Sequence, residues 1–203
     1  MQSLILSWAL FLGTSFEGEI VYVNTYIVHD QSLSIDSLRG IVGDTIVLVM
    51  KEGNYKLVST GWKRVTATYE GERNIWNVYN NRRDTIVAVT GLAHTMESPI
   101  FEVPQNSNET VLGFNCKSVV MTWKTGRNVY YYNEGLRIDP DLYKGHNIDG
   151  WNGYCEVSKS VPLMIKYEKK GYTVVQKAVQ IREREVEWKE VQVPLGRPIL
   201  RLK

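Results

Sequence analysis

Short runs of alternating apolar and polar residues, separated by turns rich in glycine and asparagine, dominate this chain. In segment 117–124, Val119, Met121 and Trp123 fall on one side and Ser118, Val120, Thr122 and Lys124 on the other. A period of two marks a strand with one face turned to a core. Val161, Leu163, Ile165 and Tyr167 repeat the pattern opposite Met164, Lys166 and Glu168. Long β-branched and aromatic runs at 19–28 and 45–49 read as further strands. Glu52-Gly53-Asn54 is a hairpin connection, and 70–72, 124–127 and 169–171 are similar glycine turns. The pattern predicts a mainly β chain, folded as an antiparallel meander. No window carries a long amphipathic helix.

Two stretches break the alternation. Segment 31–43 reads as a short helix or a loop. Segment 135–154 holds Asp139-Pro140-Asp141, Asp149-Gly150 and Trp151-Asn152-Gly153. So long an excursion within a meander is expected to be a covering flap or a functional loop.

Composition adds three constraints. A length of 203 residues fits one domain. The chain has 12 Tyr and 6 Trp against 4 Phe, a bias toward aromatics with polar tips that suit strands and cavity rims. Lys and Arg number 24 and Asp and Glu 22, so no concentrated basic surface is expected, and no nucleic-acid partner.

Near the start, the apolar stretch 4–12 is too short to span a bilayer and has the length of a secretion leader's core. Small residues at 13–15 allow cleavage before Phe16, although the first basic residue is Arg39. The expected layout is a signal peptide at 1–15, a β domain at 16–195 and a basic, frayed tail at 196–203. Cys116 and Cys155 lie 39 residues apart. They are compatible with one disulfide or with two separate buried thiols.

Motifs for chemistry are sparse. There is no nucleophile elbow, phosphate loop or dinucleotide fingerprint. His29, His94 and His146 show no ligand spacing, and Asp139 with Asp141 lacks the rest of a calcium loop, so no metal or cofactor is expected. Asn108-Glu109-Thr110 matches a glycosylation sequon. Glu183, Glu185 and Glu187 alternate with Arg182 and Arg184 and read as a solvated edge strand. No enzyme is expected.

Several segments together carry a resemblance. Segment 108–119, centred on Gly113-Phe114-Asn115-Cys116, resembles the signature of the DUF4412 and GLPGLI families of exported bacterial β proteins. Glu17-Gly18-Glu19-Ile20-Val21-Tyr22 is similar to their opening strand, Val129-Tyr130-Tyr131-Tyr132 to the strand after the Cys segment, and Val161-Pro162-Leu163 to their Pro-Leu strand. Val191-Gln192-Val193-Pro194 is similar to their closing motif. The glycine usual before Pro-Leu, the GLPGLI string and a counterpart for Cys155 are missing.

The resemblance implies a fold like the LolA, LolB and LppX carriers: an unclosed half-barrel whose apolar concave face is covered by a short helix or loops. Segments 31–43 and 135–154 would be the covers. The implied function is that of a periplasmic or secreted, non-enzymatic envelope protein binding a lipid, a lipoprotein acyl chain or another lipophilic ligand. On alternation, Val119, Met121, Trp123, Leu163, Ile165 and Tyr167 are the candidate lining. The competing reading is an envelope interaction module with a filled core and an exposed aromatic patch that contacts a protein partner. An enzyme would require a cleft with convergent polar groups of perturbed pKa.

Overall fold

The computed structural model describes residues 15–61, 65–80, 82–92 and 99–202. The expected leader lies outside the described residues, except for Ser15, and so does His94.

The fold is mainly β. The first half is a meander: β1 (Gly18–Val28), β2 (Thr45–Lys51), β3 (Asn54–Ser59), β4 (Thr66–Glu70), β5 (Ile75–Asn80) and β6 (Arg83–Thr90). The second half runs through β7 (Ile100–Phe101), β8 (Gln105–Val111), β9 (Phe114–Trp123), β10 (Gly126–Arg137), β11 (Ser160–Lys169) and β12 (Tyr172–Glu183), and β13 (Ile199–Leu202) ends it. All join one sheet in the order β13-β6-β5-β4-β3-β2-β1-β12-β11-β10-β9-β7, with β8 also on β9. Pairing is antiparallel except that β13 runs parallel to β6. The closing step pairs β1 with β12, so the two meanders become one sheet that does not close into a barrel.

Local chemistry explains the hairpins. Glu52 and Gly53 both take positive φ, as do Leu112 and Gly113, the geometry that matches a tight two-residue turn to strand twist. Register shifts at Val21/Tyr22 and at Tyr131/Tyr132 bend the sheet. Pro162, which cannot donate to a ladder, sits at the second of these.

The curvature is large. Trp76 on β5 and Trp123 on β9 line the same cavity, although eight strand steps separate them. At about 4.8 Å per step a flat sheet would hold them roughly 38 Å apart.

Among the described residues three α-helices accompany the sheet. α1 (Ile35–Val42) is capped by Ser34 and buries Leu38 against Tyr26 and Val174 at one end of the sheet. α2 (Trp151–Ser158) lies on the concave face, where Tyr154, Cys155 and Ser158 are buried. α3 (Trp188–Val191) is on the convex face, where Val191 meets Val49 and Val186.

Two expectations need correction, and one open alternative is decided. The charged segment 182–187 is not an edge strand. Strand β12 is central, between β1 and β11, and beyond it Arg184 pairs with Glu190 while Glu187 caps α3. Residues 199–202 do not fray, because β13 adds to the exposed side of β6. Cys116 and Cys155 are both free and buried, so the disulfide alternative is not the one adopted. Cys116 stands on β9 with its thiol toward the Phe114 carbonyl, whereas Cys155 belongs to α2.

Candidate functional site

The concave face is built from one alternating set on each strand. Tyr22 of β1 stands opposite Ala178 of β12, Leu48 of β2 opposite Leu57 of β3, and Tyr55 opposite Tyr69 of β4. On the other side, Val119 of β9 pairs with Tyr130 of β10, which pairs with Ile165 of β11. By alternation the six candidate residues share this face, although the β10–β11 register shift falls at Leu163 and brings Pro162 to the cavity. Val119, Met121 and Leu163 are fully buried core. Trp123, Ile165 and Tyr167 line a cavity of about 360 Å³.

Segment 139–158 decides which part of the face is filled. Beyond β10 it forms two single turns, Pro140–Tyr143 and Ile148–Gly150, and then α2. The Asp139 carboxylate accepts the Asp141 N–H and caps the first turn, so this pair has a structural role. Among the described residues no cluster of His, Cys, Asp and Glu could hold a metal. The Asn147 N–H donates to the Gly91 carbonyl and the Asn152 N–H to the His146 carbonyl, which fixes the loop over the sheet. Gly153 is required by close approach, since a Cβ there would lie 2.4 Å from the Phe101 ring. Tyr154 then stacks on Tyr130 at 4.4 Å and closes one half of the face.

Over the other half the loop leaves a gap. Its roof is His146, Ile148, Asp149 and Trp151. Its floor combines Leu48, Leu57 and Ile165 with Tyr22, Tyr55 and Tyr130. Trp76 and Trp123 form opposite walls, and Asn128, Tyr167, Lys169 and Gln176 complete one side.

The polar groups differ in how well they are satisfied. The Tyr22 hydroxyl donates to the Pro162 carbonyl at 2.8 Å. His146 Nε2 and the Tyr55 hydroxyl are 2.6 Å apart, and the imidazole stacks on Tyr69 at 4.0 Å. Burial pushes the His146 pKa down to about 3, so the ring is neutral at physiological pH. Burial also holds Tyr22, Tyr55, Tyr130 and Tyr167 as phenols. Asp149 lines the cavity and is exposed, and the surrounding protein raises its carboxyl pKa by desolvation against the opposing pull of Lys169. Asp149 sits at φ 53°, a left-handed conformation that Asp tolerates better than most residues. The Lys169 ammonium lies over the Trp123 ring, 4.7 Å from its centroid. Asn128 Oδ1, His146 Nδ1 and Trp151 Nε1 are buried with no hydrogen-bond partner among the described residues.

Sequence reasoning missed most of the lining. Tyr22, Leu48 and Tyr55 lie in recognised strands, but only the curvature brings them opposite Trp123. His146, Asp149 and Trp151 come from the irregular segment, where no periodicity signals a direction. The signal available was the high density of aromatic and polar residues in 143–154.

No family profile and no curated protein matches the chain. Among solved structures, PNGF-II in a P21 crystal form superposes with a TM-score of 0.51 at 13% identity, over 93% of this chain and 32% of its own. The chain therefore spans about a third of the length of that neighbour. An uncharacterized conserved protein from Thermus thermophilus gives a TM-score of 0.48 at 8% identity, covering 93% of this chain and 91% of the other. At these identities the likeness concerns fold alone.

Proposed function

We propose that this chain is a non-enzymatic, exported envelope protein of the DUF4412 or GLPGLI kind that binds a lipophilic ligand on its concave face. The observation that carries the reading is the cavity of about 360 Å³ between the curved sheet and segment 139–158. Its size and its aromatic and aliphatic lining suit a small-molecule site with a few orienting polar groups. Burial of alkyl carbons against Leu48, Leu57 and Ile165 supplies affinity at about 0.8 kcal/mol per methylene. The interaction-module reading is less well supported. It calls for a filled face and an exposed aromatic patch, and Trp188 is the sole aromatic among the exposed large side chains of the described residues.

A second reading, an acid–base enzyme, draws on Tyr55, His146 and Asp149 as convergent groups of perturbed pKa. It ranks lower because a base at neutral pH needs a pKa near 7, and burial has taken His146 far below that.

Titration with an uncharged fluorescent naphthylamine tests the binding reading. The expected result is saturable one-to-one uptake that falls about tenfold or more when Ile165→Trp fills the cavity. Absence of uptake by the unaltered chain would overturn it.

A further inference from the structure

One side of the cavity is polar in a way that an alkyl ligand does not explain. Asn128 on β10 stands directly opposite Tyr167 on β11, and Gln176 on β12 stands opposite Ile165. Three adjacent strands thus turn an amide, a phenol and an amide toward a face otherwise made of aliphatic and aromatic side chains. Asn128 is 2% exposed and its Oδ1 lacks a partner among the described residues. Trp151, on the roof of the same cavity, carries an indole N–H that also lacks one. An acceptor and a donor are therefore both left unmatched on the lining, a costly arrangement unless a ligand completes it.

The charges on the lining come as an opposed couple. Lys169 follows Tyr167 on the same face of β11 and acts electrostatically on Asp149 in the roof. A charged head loses its hydration on entry, and whichever sign one member of the couple attracts the other repels, so the couple offers no net compensation. A neutral head avoids that desolvation cost. A group that both donates and accepts offers a partner to Asn128 Oδ1 or to the Trp151 N–H, and a ring with C–H faces can lie flat on the surrounding aromatics.

We infer that this side of the cavity recognises an uncharged, hydroxyl-rich ring, the chemistry of a sugar unit, as the head group of an amphiphile whose alkyl part lies on Leu48, Leu57 and Ile165. The inference rests on the reading that the cavity holds a ligand. Asn128 and Gln176 set the head-group preference, and the Lys169–Asp149 couple gives a charged head no net attraction.

Three amphiphiles with the same chain test it: octyl glucoside, octanoate and octyltrimethylammonium, each below its micelle concentration, displacing the naphthylamine probe. The expected result is that octyl glucoside binds about tenfold or more tighter than either charged amphiphile. In Asn128→Leu that advantage shrinks to about twofold. Gln176→Leu gives a second route if Asn128→Leu fails to fold. Equal affinities for the three heads, or tighter binding of a charged one, overturn the inference and leave the cavity reading standing. If neither the naphthylamine nor any amphiphile binds, the cavity reading falls and takes the inference with it.

Discussion

On β9 and on β11 the concave face changes character within two residues. Val119 and Met121 are buried in solid core, and Trp123, next on the same face, lines empty space. Leu163 is solid core, and Ile165 and Tyr167 line the cavity. On β9 the pairing with β10 is unbroken across the change, so that strand does not cause it, while on β11 the register shift at Pro162–Met164 coincides with it. The difference lies above them. α2 sets Tyr154 and Cys155 onto one half, whereas the turn Ile148–Gly150 arches over the other. Alternation therefore assigns a residue to a face. A separate, irregular segment decides whether that face is filled.

Truncations on the two halves should separate sharply. Leu163→Ala removes a fully buried side chain from close-packed surroundings and is expected to cost about 3 kcal/mol, read as a lowered urea midpoint. Tyr167→Ala, beside existing empty space, should cost about 1 kcal/mol while abolishing most naphthylamine uptake. Similar costs at both sites would break the comparison.

Acid probes the boundary between the halves, where His146 is buried. Its pKa is about 3 in the fold against 6.5 as the ordinary value. The unfolded chain therefore binds the proton first, and stability falls as pH drops from about 6.5 toward 3. The expected loss is on the order of a few kcal/mol, and His146→Gln should flatten that part of the urea-midpoint profile. An unchanged profile in the variant would place the acid sensitivity elsewhere.

The two halves also differ in how far the chain's pattern exposed them. The antiparallel meander and the shared face of Val119, Met121, Trp123, Leu163, Ile165 and Tyr167 follow from a period of two. The division of those six into core and lining does not, because it depends on 139–158. There Asn152 and Gly153 disguise α2, whose buried residues Tyr154, Cys155 and Ser158 recur at helical spacing. Gly153 is present for a contact with Phe101, a partner far away in sequence. The central place of β12 was hidden because charged residues at 182–187 resemble an edge. Their partners Glu19 and Glu17 come from the neighbouring strand β1 and its approach, far away in sequence, and Glu190 comes from α3.

The convex face provides the smallest effects and a control. Lys51 pairs with Glu17 at 2.8 Å and lies over Trp188, so Lys51→Met should cost about 1 kcal/mol without touching ligand uptake. Arg127→Ala, which breaks an exposed pair with Glu168, should change stability by less than about 0.5 kcal/mol. Loss of ligand uptake in either variant would show that the concave cavity is not the site.

The most direct test is native mass spectrometry of the chain purified without detergent, with and without added octyl glucoside, for the unaltered protein and for Ile165→Trp. A ligand cavity on the concave face requires a stoichiometric adduct, co-purified or taken up one to one, that disappears in the folded variant. A bare mass in every sample, or an adduct equally present when the cavity is filled, would contradict it.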